Sequence, residues 1–249
     1  MKSKISNTQS NLGFSLRGLE NTRIESLSDG VFAIAIGLLL LSSSPPETFA
    51  ELKIFIQDFI PFAGTISILM TIWYQHYLFF IRFGLRDAST TAINTILLFL
   101  VLFYTYPLKF LFQVLIQIYR SLIMNDRELM SQLFQEKLPL QDAPELMVIY
   151  GLGASAIFFV FVWLNYRALK KSQDLSLSPL EVALTKNSIL MNSIAGGIPM
   201  LSGLFAYFEL AGSYTFMYSG FIYLLYPLLM PLAGYLGGKK LQDFQKNNH

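Results

Sequence analysis

The polar and ionisable side chains that could do chemistry lie inside apolar segments or at their edges. Asp29 stands just before a long apolar run, and Trp73 and His76 lie late in a second run. Asn94 lies early in a third. Ionisable groups inside a membrane are costly, so they need a partner or a function. A carboxylate, an indole N–H, an imidazole and an amide can also satisfy one another's hydrogen bonds in a low-dielectric interior.

Three interpretations of these groups are open. In the first, Asp29, His76 and Asn94 only tie three helices together, as polar residues commonly do between membrane helices. In the second, His76 titrates near physiological pH and acts as a proton or gating switch. In the third, Asp29 coordinates a cation directly, although helical geometry turns it roughly 140° away from Ile34.

Enzymatic chemistry is not indicated by any motif. The sequence has no cysteine, which excludes disulfides, thiolate nucleophiles and cysteine metal sites. Its two histidines, His76 and His249, do not have metal-ligand spacing, and the sequence has no P-loop or nucleophile elbow. We therefore expect no enzyme activity, no metal site and no cofactor.

The composition is that of a polytopic membrane protein. Hydrophobic residues make up 53% of the 249 residues and charged residues 14%, and the mean hydropathy is +0.49. Soluble domains have about 25% charged residues. The net charge of +2 does not suggest nucleic-acid binding, and we expect no cleavable signal.

The elements that must position these side chains are six apolar spans, so we predict an all-α fold. The predicted spans are 26–44, 59–83, 91–119, 146–166, 184–207 and 214–236. A short interfacial helix is expected within 47–58, and a kink at Pro199. We expect residues 1–25 to be a cytoplasmic arm, loose or with a short surface helix near Phe14, residues 26–238 to be the membrane domain, and residues 239–249 to be a cytoplasmic tail.

The positive charges predict the orientation of the chain. Thirteen of the 18 lysines and arginines fall on the side of the two termini, which leaves five on the other side (18 − 13). Because cytoplasmic loops are enriched in lysine and arginine, both termini are expected to be cytoplasmic.

The first span has one bulky apolar stripe. Ile34, Leu38 and Leu41 are spaced four and three residues apart and therefore share a helix face. Small residues lie beside them, namely Gly30, Ala33 and Gly37. Two interpretations are open: an ordinary stripe facing lipid or the protein core, or a hydrophobic constriction that gates a pore by dewetting.

Two motifs resemble those of a known family. Residues Arg23-x-x-x-Leu27-Ser28-Asp29 resemble the Arg-x-x-x-Phe-Ser-Asp signature of the transmembrane protein 175 family, which comprises lysosomal and prokaryotic potassium channels. Trp73-x-x-His76, followed by Asn94 and its leucines, is similar to the second and third helices of that family. The resemblance covers the first three spans by motif and all six by layout.

The resemblance implies a homotetrameric, potassium-permeable cation channel that is surrounded by membrane lipid, here in the inner membrane of a bacterium. Its pore would form between subunits, lined by the first helix of each. The apolar constriction of the family corresponds here to Ile34, followed by Leu38 and Leu41. The signature residues Arg23, Ser28 and Asp29 would be structural, held by the following polar side chains: Trp73, His76 and Asn94.

Two positions depart from the family pattern. Leu27 replaces the signature phenylalanine, a conservative change that we expect to affect packing only. Gly37 stands where many prokaryotic members carry a threonine, so either a weaker preference for potassium over other monovalent cations or an altered conductance is expected. The alternatives to a channel are a proton-coupled transporter that uses Asp29 and His76, and a membrane assembly protein that conducts nothing.

Overall fold

A computed structural model of the protein describes residues 13–20, 22–41 and 45–247. Six segments of the described chain are long and apolar enough to cross a membrane, which confirms the prediction of an all-α protein with six spans. The expected arm before residue 13, the end of the first span at 42–44 and the last residues of the tail, 248–249, lie outside the described residues. The helices are Arg23–Leu41 (α1), Phe49–Gln57 (α2), Phe59–Phe83 (α3), Ala88–Met124 (α4), Arg127–Gln132 (α5), Ala143–Lys170 (α6), Pro179–Tyr207 (α7), Thr215–Ile222 (α8) and Tyr226–Asn247 (α9).

Several helices are longer than their apolar segments because polar residues cap them. The carboxylate of Asp87 accepts a hydrogen bond from the Thr90 amide at the start of α4, and Asn125 ends that helix in the left-handed conformation, with φ of 51°. Ser178 and Glu181 form a capping box at the start of α7. Such caps satisfy backbone groups that a helix end leaves unpaired. Helical structure therefore extends past the predicted span ends into the polar loops.

Proline residues interrupt the sixth span but not the fifth. A short 3₁₀ turn, Tyr223–Leu225, separates α8 from α9. Pro227 explains this break, because its ring clashes with the carbonyl four residues earlier, that of Tyr223. In contrast, α7 continues through Pro199. The carbonyl that Pro199 leaves without its helical donor is that of Ala195, and the Tyr226 hydroxyl donates to it at 2.6 Å.

The segment before α1 is neither loose nor helical over residues 13–20, so the expectation of a loose arm or a surface helix near Phe14 is wrong there. Phe14 is buried against Phe83. Arg17 donates to both carboxylate oxygens of Glu181, at 2.7 and 2.9 Å, and the Arg17 amide donates to the carbonyl of Ile81. These contacts join the segment to the end of α3 and the start of α7.

An ion cluster at the same end of the molecule joins α4 to α6. Asp87 accepts hydrogen bonds from Arg167 and from Lys171, whose Nζ lies 2.7 Å from Oδ2. Arg167 lies in the last turn of α6, so the loop expected from residue 167 onward begins later. Partial burial raises the pKa of Asp87, but the hydrogen bonds from Lys171, the Thr90 amide and Arg167 outweigh it and hold that pKa well below its ordinary value.

The Asp87 cluster predicts a pH-dependent contribution to stability. Asp87→Asn keeps a residue that caps helices well but removes the charge. Because the folded pKa is depressed, the carboxylate stabilises the fold above the unfolded pKa of about 3.9, and this contribution disappears as pH falls below that value. At pH 7 we expect a loss of about 1 kcal/mol, or roughly 2–4 °C in apparent melting temperature.

Melting curves in detergent between pH 3 and 8 test this expectation. Asp174→Asn is the matched control, because Asp174 is exposed and no ion pair involves it in the described part of the chain. The Asp87→Asn deficit should shrink toward acidic pH, while Asp174→Asn should follow the wild type throughout. A deficit that is constant across this range would show that the charge of Asp87 is not what stabilises the fold.

Candidate functional site

One face of α1 is buried against the rest of the chain. Ser28, Phe32, Ala35 and Leu39 lie on this face, and all four are buried. They pack against α3 and α4, which meet α1 along its length. At about 100° per residue, this buried face lies on the side of the helix opposite Ile34.

The other face of α1 is apolar and open. Ile34 is 59% exposed and Leu41 is 79% exposed, and Leu38 between them is half-buried. Gly30 and Ala33 are exposed, and a Cβ built on Gly30 or Gly37 would meet no described atom within 4 Å. The stripe and its small neighbours therefore lack a packing partner within the described part of this chain.

Leu27 belongs to the same stripe, which the sequence reasoning missed. It lies seven residues before Ile34, roughly 20° from the same face, and it is 65% exposed. The expectation that leucine in place of the signature phenylalanine affects packing only stays a prediction. The heptad spacing to Ile34 was the signal that could have found Leu27.

Hydrogen bonds on the buried side connect α1 to α3 and α4. Asn94 Nδ2 donates to Ser28 Oγ at 2.9 Å, and Asn94 Oδ1 lies 2.9 Å from His76 Nε2. Since the amide oxygen can only accept, His76 Nε2 carries the proton and donates. A separate bond, which is exposed, joins the Trp73 indole to Asp29, with Nε1 2.8 Å from Oδ1. These contacts bring together five of the six predicted signature residues.

Arg23 is the signature residue that lies apart from this network. It is exposed at the first position of α1, and no ion pair joins it to any residue described. Asp29 and His76 do not bond to each other directly, because Trp73 is the partner of Asp29 and Asn94 is the partner of His76. His76 Nδ1 is buried and has no partner among the described residues.

Chemically, the arrangement can hold three helices in register and present an apolar surface on the far side of α1. Over the described residues, no group of three His, Cys, Asp or Glu side chains lies close enough to hold a metal ion. Ser28, His76 and Asn94 are buried behind α1, and Asp29 is exposed beside them. The exposed stripe carries only hydrocarbon.

Comparisons with known proteins give a consistent result. Residues 23–104 match the family model described as the endosomal/lysosomal potassium channel TMEM175. A protein of Marivirga tractuosa named "Potassium channel" is 44% identical over 241 residues, which cover 94% of this chain and 96% of that protein. A potassium channel of Chamaesiphon minutus is 31% identical over 105 residues, which cover 39% of this chain and 52% of that protein.

A solved structure shares the fold. It is the crystal structure of a single-residue variant of the potassium channel MtTMEM175, in complex with a nanobody–MBP fusion protein. The TM-score is 0.82 at 44% sequence identity, and the match covers 92% of this chain and 99% of that one.

Proposed function

This chain belongs to the TMEM175 family of potassium channels, and from that premise we propose that potassium ions cross the membrane along a central pore lined by α1 of four subunits. The chain is a potassium channel rather than an enzyme. Its permeant species are potassium and, to a degree that Gly37 influences, other monovalent cations.

The observation that carries the pore proposal is the open face of α1. An apolar helix face with no partner in its own subunit must face lipid, another subunit or a pore. Small residues beside the stripe suit a helix that approaches its symmetry mates closely. We therefore assign Ile34, Leu38 and Leu41 to an apolar constriction, and Leu27 to its cytoplasmic approach.

The polar network has a structural role in this proposal. Its hydrogen bonds hold the buried side of α1 against α3 and α4, so that the opposite side stays at the pore axis. Asp29 is turned away from the stripe and paired with Trp73, which supports a packing role over ion coordination. His76 is likewise paired within the subunit, to Asn94.

We place the protein in a bacterial inner membrane, with both termini in the cytoplasm. The N-terminal segment and the helix ends and loops beside it carry several of the cations that predicted this orientation. These are Arg17, Arg82, Arg86, Arg167, Lys170 and Lys171. Lysine and arginine favour the cytoplasmic side of a membrane. The surrounding lipid and three further copies of the chain are the expected partners.

Currents through the purified protein in planar bilayers test the channel proposal. Under a potassium gradient, the current should reverse near the potassium equilibrium potential, and an added pH gradient should not move that reversal. A reversal that follows the pH gradient would instead favour the proton-coupled transporter using Asp29 and His76. Replacing potassium by sodium on one side of the bilayer measures how strongly a pore with glycine at position 37 prefers potassium over sodium.

If the folded wild-type tetramer passes no current, the Ile34→Asn variant in the same bilayer distinguishes a closed channel from a protein that does not conduct. Current from the variant alone would indicate a closed apolar constriction and support the proposal. Silence of both would contradict the proposal and favour the non-conducting assembly protein.

A further inference from the structure

A large cleft lies away from α1, between α3, α4, α6, α7 and α9. Its volume is about 700 Å³, within the range of about 300–1,000 Å³ that is usual for ligand pockets. Ile68 of α3 and Leu115 of α4 line it and are exposed. The cleft is therefore open on one side of the subunit, within the membrane-spanning part, where a lipid molecule could enter.

The lining of the cleft is more polar at one end than at the other, and the hydroxyls of Tyr104 and Tyr150, which also line it, are bonded to backbone carbonyls. Arg82 precedes the last residue of α3, Asn165 lies near the end of α6, and Asn187 lies near the start of α7. These helix ends lie on one side of the molecule, which we assign to the cytoplasm. On α4, Leu111 and Leu115 line the cleft toward the opposite end of the helix. This division matches the shape of an amphipathic molecule with its polar group at the cytoplasmic side.

Arg82 supplies a positive charge to the polar end. Its guanidinium carbon lies 4.6 Å from the centre of the Phe14 ring, and no carboxylate pairs with it in the part of the chain described. The residue is half-buried. A cation held at the membrane edge is costly without an anion, so this position favours a negatively charged ligand.

We propose that this cleft binds an anionic phospholipid, phosphatidylglycerol being the simplest. Its phosphate pairs with Arg82, and the net negative charge of the headgroup favours it over a zwitterionic lipid. An acyl chain lies along the apolar end, next to Leu111, Phe112 and Leu115. This inference concerns a site apart from the pore, and lipid binding can be measured whether or not the protein conducts.

Native mass spectrometry of the full-length protein, exchanged into micelles with equal amounts of phosphatidylglycerol and phosphatidylcholine, tests the site. The wild type should retain phosphatidylglycerol over phosphatidylcholine by about tenfold, the equivalent of about 1.4 kcal/mol. Arg82→Gln should remove that preference, and Arg82→Lys should keep most of it. Arg86→Gln is the matched control and should change nothing, because Arg86 is exposed and donates to the Glu20 carbonyl outside the cleft.

A second variant keeps the test informative if Arg82→Gln fails to fold. Ala154 lines the cleft and is half-buried. Ala154→Trp should fill the space for the acyl chain and reduce the retention of both lipids, with an unchanged elution volume in size-exclusion chromatography. Equal retention of the two lipids by the wild type, or an unchanged preference in Arg82→Gln, would overturn the proposal.

Discussion

Ile34→Asn should raise the potassium current through the open pore about tenfold, which corresponds to a barrier lower by about 1.4 kcal/mol. Ile34 is the centre of the open apolar face of α1 and is 59% exposed in the single subunit. A narrow hydrocarbon neck excludes water and so blocks ions. An amide at this position would offer hydrogen bonds to water and keep the neck wet. Single-channel recordings in planar bilayers provide the measurement.

Leu40→Asn is the matched control for this variant. Leu40 is on the same helix and is 52% exposed, but it lines a small cleft together with Phe55 and Phe59. It lies roughly 120° from Ile34 around the helix. The current through Leu40→Asn should stay close to that of the wild type. Equal increases in both variants would contradict the assignment of Ile34 to the pore, because the effect would then not depend on the helix face.

Asn94→Leu should destabilise the fold by about 1–3 kcal/mol, since that is the usual cost of a buried polar group left without a partner. The leucine is close in size but cannot accept from His76 or donate to Ser28. Because His76 Nδ1 already lacks a partner among the described residues, the imidazole would lose its bond to Asn94 with nothing to replace it there. At about 2–4 °C per kcal/mol, the apparent melting temperature should fall by roughly 2–12 °C.

Thr95→Val is the control variant, because it substitutes the residue next to Asn94. Thr95 is exposed, and its hydroxyl donates to the carbonyl of Thr91 within α4. The melting temperature of Thr95→Val should match that of the wild type. The surviving Asn94→Leu channels should keep the wild-type ratio of potassium to sodium current. A stable variant with an altered ratio would mean that Asn94 acts on ions rather than on helix packing.

The spans could be predicted because long apolar segments have few ways to satisfy their backbone in a membrane. The boundaries were less predictable, since caps such as Asp87 and Ser178 extend helices into polar sequence. Within the candidate site, the i, i+3, i+4 spacing placed Ile34, Leu38 and Leu41 on one face, and their exposure agrees with that phase. The same rule applied seven residues earlier would have included Leu27.

Contacts between distant residues could not be read from local patterns. Arg17 and Glu181 are 164 positions apart, and neither stands in an apolar run that would have marked it as buried. The same holds for Asp87 and its partners Arg167 and Lys171. Such ion pairs form only where particular helix ends are neighbours in the fold. The spacing of apolar residues does not predict which helix ends are neighbours. For Trp73 and Asp29, the sequence supported only the general expectation that polar groups at a similar depth in the membrane would contact one another.

Blocking of single-cysteine variants by silver ions is the most direct measurement of whether α1 lines the pore. The sequence contains no cysteine, so each variant carries one thiol, and silver binds such soft sulfur ligands. Silver should stop the potassium current through Ile34→Cys and leave the wild type and Leu40→Cys conducting. If Ile34→Cys keeps its current while Leu40→Cys is blocked, the face of α1 that carries Ile34 does not line the pore.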